Sequence, residues 1–342
     1  MMRKFFLKSF LFIFVVSISL NLLGTLAERL SPLQDWRFYY QQLDAKLKAR
    51  NESIEAITLG NSHADSIDYS VLGNEGQSIA IAAADPFEIE KIVSTLNHRL
   101  PHLNTAFITI SYYSFSWDNA KYQYLRPRRV GFYSMFPLWS PIEGDLANFI
   151  MGKVDAYTHI MSVVRSDSWQ GVWPQLLVNS PVADPFPYDG IITTSIWGEC
   201  SHYTAEPLYR HAHEIAGKNV AVSRQMAYDH PGLEQDSYAA LARTIEQLQA
   251  RGVRVVLYTP PYYDRYSTYF TEQGSDILDR MKLAVERLQE TYGVEYYDFS
   301  QDPELISQPE FFYNSDHLSD CGRRVFSGEL LEELTDNTVY DK

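Results

Sequence analysis

Three short runs rich in β-branched and other apolar residues constrain this chain more than any other feature. They read "IEAITLG" at 54–60, "GQSIAIAAAD" at 76–85 and "NTAFITISYYSF" at 104–115. The first and third read as strand-like and the second as a further apolar run between them. The stretch between Pro86 and Leu100 carries a helical apolar period. Strand, helix, strand in that order predicts a parallel sheet with crossover helices, because parallel neighbours need a long connection. The pattern returns after Pro231. "LEQDSYAALARTIEQLQARG" (233–252) reads as an amphipathic helix capped by Gly252, and "VRVVLYTPP" (253–261) as a buried strand stopped by two prolines. "DILDRMKLAVERLQETYG" (276–293) is a second such helix, "VEYYDFS" (294–300) a further strand, and "CGRRVFSGELLEEL" (321–334) a closing helix.

The intervening segment, about 116–231, differs in composition. It is rich in Trp, Tyr, Pro and Gly and poor in long periodic runs. We read it as an aromatic-rich insertion on the α/β scaffold. Within it, "YLRPRRVGFY" sets Arg126, Arg128 and Arg129 beside tyrosines. They are weak candidates for holding an anionic substrate or lipid headgroup, against the plainer reading of a solvated surface.

The N-terminus has the grammar of export. Arg3, Lys4 and Lys8 precede an uncharged, largely apolar run from Ser9 to Ala27. A positive segment before an apolar one is the pattern of a signal sequence. The run of 19 residues is long for a signal peptide and about the length that spans a bilayer. We therefore expect an uncleaved, single-pass transmembrane anchor over 1–28, with its positive end in the cytoplasm. A juxtamembrane helix over 29–53 and an extracytoplasmic main domain over 54–335 follow. Cys200 and Cys321 are the only cysteines. They form one disulfide if the domain is exported, or remain two buried thiols.

Charge narrows the partners. The net charge of −14 repels a phosphate backbone, so nucleic acid is not expected. The histidines at 202, 211 and 213 lack the carboxylates and spacing of a metal site, and neither cysteine lies in a CxxC pair. We expect no metal and no cofactor. The aromatic content of 14%, with 24 tyrosines, suits either a packed core or a surface for flat-faced ligands such as sugars.

Chemistry concentrates at two places. "GNSH" (60–63) ends the first strand-like run. Ligands of parallel α/β sheets bind beyond the carboxyl ends of the strands, and glycine permits a sharp turn there. Ser62 would thus be lifted above the sheet as a nucleophile, and a serine needs a base. His317, in "FFYNSDHLSDCG" (311–322), lies between the last strand-like run and the closing helix. Asp316 beside it and Asn314 three residues back are the groups able to orient its imidazole. His63 directly follows the nucleophile, and we read it as a packing or capping residue that points away.

The pairing of "GNSH" after the first strand with "NSDHLSDCG" before the last helix resembles the SGNH/GDSL hydrolase superfamily. "RGVRVVLYTPPYYDRY" and "GVEYYDFSQDPEL" are similar to its penultimate strands. More narrowly, the chain resembles a membrane-anchored branch that includes DltD-like and alginate O-acetylation proteins. The resemblance covers about 54–106 and 233–334 and leaves out the middle. It implies a flavodoxin-like three-layer sandwich and a Ser/His/Asp acyl-transfer site. Ser62 is then the nucleophile and His317 the base. The family's Asp-x-x-His pattern puts its acid at position 314, which is Asn314 here. Asp316 is the expected acid, with Asn314 as orienting partner. On the oxyanion side the pattern offers Asn61, Gly76 and Ser111, with no clear glycine block after the second strand and "ISYYSF" in place of the third-strand asparagine block.

The resemblance implies an acyltransferase or esterase acting on a cell-envelope or exported polysaccharide, with a membrane-bound acyltransferase as a partner. The degenerate oxyanion blocks keep open a non-catalytic scaffold or glycan-binding protein of the same fold. A DltD-like D-alanyl transfer protein is a third reading.

Overall fold

The computed structural model describes residues 6, 8–19, 22, 52–96, 99–123, 125–134, 136, 140–158 and 205–339. The chain divides into two compact units, one of residues 47–118 and 192–342, the other of 1–46 and 119–191.

The first unit is built on a five-stranded parallel sheet. Its strands are β1 (Ala56–Leu59), β2 (Gly76–Ser78), β3 (Thr105–Thr109), β4 (Arg254–Thr259) and β5 (Glu295–Asp298). Their spatial order is β2-β1-β3-β4-β5. In register, Ala56 faces both Gly76 and Thr105, and Thr105 faces Arg254. β1 is buried throughout, and β3 and β4 are buried at every position after the first. Continuous rather than alternating burial means that both faces of the sheet are covered, as a parallel sheet requires. The two edge strands differ: β2 is three residues long and β5 is largely half-exposed. Short, partly polar edges limit pairing with other chains.

The helices follow the expected alternation. They are α1 (Pro86–Leu96) and, after the second unit's α2 and α3, α4 (Ala205–Asp229), α5 (Leu233–Gln249), α6 (Asp264–Gln273), α7 (Ser275–Tyr292) and α8 (Asp320–Val339). α1 packs on α5, α4 on α6, and α8 on the single turn Tyr69–Leu72. α4 starts 26 residues before the expected end of the middle insertion. Its Leu208, Ala212, Ala216 and Val220 recur at helical spacing and are buried, so this stretch belongs with the sheet.

Chain order makes the site. The chain leaves β1 for the edge strand β2, then returns past β1 to β3 and continues outward. β1 and β3 are therefore neighbours whose onward connections run in opposite directions. The crevice beyond their carboxyl ends is where doubly wound sheets place ligands. Gly60 ends β1 with φ +146°, and a Cβ there would sit 3.0 Å from both Ala64 and Thr109. Only glycine fits this turn without strain.

The second unit contains α2 (Arg126–Ser134) and α3 (Leu146–Thr158), packed against each other. Arg128 and Arg129 are each 1% exposed. Arg129 donates to Asp145 at 3.1 Å, Asp145 accepts from Asn148 at 2.6 Å, and Arg126 donates to Asn148 at 3.0 Å. This corrects the reading of a substrate surface for Arg128 and Arg129, which are buried; Arg126 is exposed, and its bond to Asn148 ties one helix to the next.

The expected anchor falls mostly outside the described residues. Residues 8–19 are helical. Among the described residues no helix is long and apolar enough to cross a membrane. The expected juxtamembrane helix lies almost wholly outside them. Cys321 is disulfide-bonded. The chain's other cysteine, Cys200, lies outside the described residues, as do His202 and residues 159–204 of the aromatic middle.

Removing one member of a buried ion pair strands the other. Asp145→Ala should therefore cost roughly 3–5 kcal/mol, read as a lower urea midpoint for the transition that reports on this unit. A change below about 1 kcal/mol would show that Arg129 finds another partner.

Candidate active site

Ser62 opens a 3-10 turn, Ser62–Ser66, directly after the Gly60 turn. Asn61 caps it: its side-chain oxygen accepts the His63 N–H at 2.9 Å and its carbonyl accepts the Ala64 N–H at 3.0 Å. Three strands hold the turn in place. Tyr258 on β4 bonds Ser66 Oγ at 3.1 Å and donates to the Ala64 carbonyl at 3.3 Å. Ser78 on β2 donates to Asp65 at 2.7 Å. Ser111, just past β3, receives the Asn61 amide at 2.8 Å. The nucleophile candidate thus sits on a fixed frame, half-buried.

His317 arrives on an antiparallel hairpin of β6 (Phe312–Asn314) and β7 (His317–Leu318). The hairpin is pinned from several sides. Tyr263 N–H donates to the Ser315 carbonyl at 2.9 Å, and Ser319 N–H donates to the Phe311 carbonyl at 2.8 Å. His211 of α4 bonds Ser315 Oγ through Nδ1 at 2.8 Å. Gly322 of α8 lies so close to the Phe311 carbonyl that a Cβ would overlap it. His211, considered above as a metal ligand, is therefore a brace of this hairpin, and His213 packs edge-on against Tyr269.

The two loops meet. His317 Nε2 lies 2.7 Å from Ser62 Oγ. On its other side, His317 Nδ1 lies 2.9 Å from Asn314 Oδ1 and 3.2 Å from Asp316 Oδ1. The Asn314 oxygen also accepts the Asp316 N–H at 3.1 Å, which identifies it as the oxygen of the amide. Both neighbours of Nδ1 are acceptors, so Nδ1 carries the proton and Nε2 is free to accept from the serine hydroxyl. Asn314 lies nearer to the ring, but Asp316 brings the charge that stabilises an imidazolium.

His63 is the residue that sequence reasoning placed wrongly. It does not point away. Its Nε2 lies 3.3 Å from the second oxygen of Asp316, and its ring lies 5.0 Å from that of His317, edge to face. Its Nδ1 faces Ser111 Oγ at 2.8 Å and the Tyr262 hydroxyl at 3.1 Å. A tight 3-10 turn directs successive side chains to different sides, and one sequence does not say which side is the floor of the site.

The electrostatics follow from burial. Asp316 is 7% exposed. Burial alone would raise its carboxyl, but the charge of His317 and hydrogen bonds from both imidazoles outweigh this and hold it well below the usual carboxylate range. His63 is lowered, chiefly by burial; the Asp316 hydrogen bond opposes this in part and the charge of His317 adds to it. Burial likewise pushes the Tyr113 and Tyr262 hydroxyls up, so both stay protonated.

The residues expected on the oxyanion side do other work. Asn61 has its side chain engaged by the turn and by Ser111. The Ser111 hydroxyl lies between Asn61 and His63. Gly76 begins β2 at the opposite end of the sheet from Ser62, where a side chain would overlap the Tyr69 ring. Of the first three N–H groups of the turn, capping engages those of His63 and Ala64 and leaves that of Ser62. In the loop after β2, Ala83 adopts φ +55°, a left-handed conformation that is strained for a residue with a Cβ.

A small pocket opens over the serine. Its empty volume, open mouth included, is about 240 Å³, and its lining includes Ser62, His63, Pro260, Pro261, His317 and Leu318. Among the described residues, His63, Asp316 and His317 also bring donor atoms within 4.8 Å of one another. Two of these pairs, His317 Nδ1 to Asp316 Oδ1 at 3.2 Å and His63 Nε2 to Asp316 Oδ2 at 3.3 Å, stand at hydrogen-bond distance.

No protein-family model matches the chain, and no curated protein matches it.

The His63 shift has a stability consequence. Its folded-state value lies below the ordinary 6.5, so the unfolded chain binds the extra proton as pH falls. This contribution is complete above about pH 6.5 and declines below it, by at most about 1.4 kcal/mol per pH unit. The lowered Asp316 adds a further loss only below about pH 3.9. Denaturant titrations from pH 8 to 5 should show a gentler decline for His63→Gln than for the native chain. Equal slopes would mean that His63 is protonated in the fold.

Proposed function

We propose that the chain is a serine-dependent acyltransferase or esterase, of SGNH type, working through an acyl ester on Ser62. The observation that carries this reading is the 2.7 Å separation of His317 Nε2 from Ser62 Oγ, with the other ring nitrogen against Asp316. In the first half-reaction Ser62 Oγ attacks the acyl carbonyl carbon while His317 Nε2 takes the hydroxyl proton. The imidazolium is stabilised by Asp316. The tetrahedral adduct collapses, the bond to the leaving group breaks, and His317 returns the proton to that group. In the second half, His317 takes a proton from an acceptor hydroxyl, of a sugar or of water, whose oxygen attacks the ester. Ser62 leaves and recovers its proton. No metal or cofactor takes part.

The pocket supports a short acyl group. The cavity is small, with an empty volume of about 240 Å³ that includes its open mouth. An acceptor as large as a glycan would have to approach from the open side. We assign the acceptor to the class of cell-envelope or exported polysaccharides, with a membrane-bound acyltransferase as donor partner, and the main domain to the extracytoplasmic side of a membrane anchor. The positive and apolar N-terminus and the disulfide-bonded Cys321 support that side, since disulfides persist in oxidising compartments. The sandwich is of flavodoxin-like type in this reading, on the strand order β2-β1-β3-β4-β5.

A second reading has its own support. Asn61 and Ser111 are engaged in the floor of the site and Gly76 lies at the far end of the sheet. A poor oxyanion site suits a scaffold or glycan-binding protein that retains the fold. A DltD-like D-alanyl transfer protein would use the same serine with a different donor.

Intact mass after exposure of the full-length chain to p-nitrophenyl acetate decides between them. The enzyme reading expects one acetyl group, absent in Ser62→Ala. No adduct, together with glycan binding that survives both Ser62→Ala and His317→Ala, would establish the scaffold. The acid is tested by kcat for the same ester. Asp316→Asn should lower it about 10³–10⁴-fold, as loss of a triad carboxylate does, and Asn314→Ala much less. The reverse order would make Asn314 the principal partner of His317.

A further inference from the structure

The Asp316 carboxylate serves two imidazoles, and only one belongs to the chemistry just described. His317 reaches Oδ1 at 3.2 Å; His63 reaches Oδ2 at 3.3 Å. We propose that His63 is a positioning residue of the acyl-transfer site, holding the acid by its second oxygen so that the first stays aligned on His317. This rests on the function proposed above.

The geometry explains why such a clamp is needed. Asp316 immediately precedes His317, and side chains of adjacent residues in an extended segment point to opposite sides. A carboxylate one residue before the base is not directed at its ring by local structure alone. The Asp316 N–H bonded to Asn314 at 3.1 Å folds the segment into a tight turn, and this brings the acid under the ring. Within that turn the carboxylate is restrained through Oδ1 alone, by His317, which leaves Oδ2 to be fixed. His63 does so from the opposite side, on a different loop, which makes the orientation a tertiary one.

His63 is itself fully specified. It is 3% exposed. Its Nε2 faces a carboxylate and must donate, so Nδ1 must accept. Ser111 receives the Asn61 amide at 2.8 Å and stands 2.8 Å from Nδ1, so its own proton points to the imidazole. Tyr262 adds a second hydroxyl at 3.1 Å. Each member of the series Asn61, Ser111, His63, Asp316, His317, Ser62 thereby has a partner, and the donors converge on the Asp316 carboxylate from both ends. Its aromatic neighbours, Tyr262 at 5.0 Å and Tyr113 at 6.0 Å between ring centroids, hold the ring edge-on. A buried carboxylate stripped of one donor loses its orientation or takes up a proton. Either outcome removes the charge from His317.

The tautomer makes the inference sharply testable. The amide nitrogen of glutamine reaches the place of imidazole Nε2, whereas that of asparagine reaches only the place of Nδ1. In the full-length chain, kcat and KM for p-nitrophenyl acetate should be measured for His63→Ala, His63→Asn and His63→Gln, each checked for folding by thermal unfolding. Ala and Asn should lower kcat about 100-fold with KM little changed, the loss typical of a small misalignment. Gln should keep at least a tenth of the native kcat. In parallel, the downfield proton signal of His317 Nδ1–H should move in the Ala and Asn proteins and stay in the Gln protein. Folded variants with native kcat, or a Gln protein as impaired as Ala, would overturn the proposal. If the native chain acquires no acetyl group, the function proposed above fails. The proton signal still decides on His63: unchanged in His63→Ala, it removes the clamp.

Discussion

A single buried carboxylate organises this site. Asp316 is nearly inaccessible to water and yet is held ionised, which is tenable only because donors from two loops meet it. One donor, His63, sits beside Ser62, the proposed nucleophile, and the other, His317, is the proposed base. The hairpin that brings Asp316 and the turn that brings Ser62 are thus locked together by the same charge that the proposed chemistry requires. Under that proposal structural and catalytic demands coincide at one residue, so its loss would be felt in both.

The sheet positions the Ser62 side of that meeting. β1 and β3 lie side by side, and the chain departs from their carboxyl ends in opposite directions. Gly60 and Asn61 shape the exit from β1, and Ser111 shapes the exit from β3. Tyr258 on β4 and Ser78 on β2 brace the turn between. A serine on so constrained a turn loses little freedom when it meets its base. The hairpin is fixed as firmly from α4, α6 and α8 through His211, Tyr263 and Gly322. Preorganisation of this kind is what lets a neutral hydroxyl react without rearrangement of its surroundings.

Much of this was legible before any coordinates. The alternation of short β-branched runs and amphipathic helices carried the parallel sheet, because each strand had to bury both faces and each helix only one. Ser62 and His317 were legible because each stands where an element ends. The partners were harder, for identifiable reasons. His63 was misplaced because a tight turn sends neighbouring side chains to opposite sides, and only the third dimension shows that Asp316 lies on one of them. Gly76 was misplaced because a glycine near a strand reads alike at its entry and its exit; the register with Ala56 put it at the entry. Arg126 and Arg129 read as a surface or substrate site because their partners, Asn148 and Asp145, lie in and just before another helix. Asp145 and Asn148 stand three residues apart, an acidic and amide pair at helical spacing.

The central claim is that His317, held by Asp316, activates Ser62. The most direct measurement is the second-order rate at which a fluorophosphonate labels Ser62 in the native chain and in His317→Ala, with the modified residue identified by peptide mass. Labelling confined to Ser62, and slower by about 10³-fold or more without the imidazole, is the result expected. Equal rates in the two proteins, or no label on Ser62 in the native chain, would contradict the account.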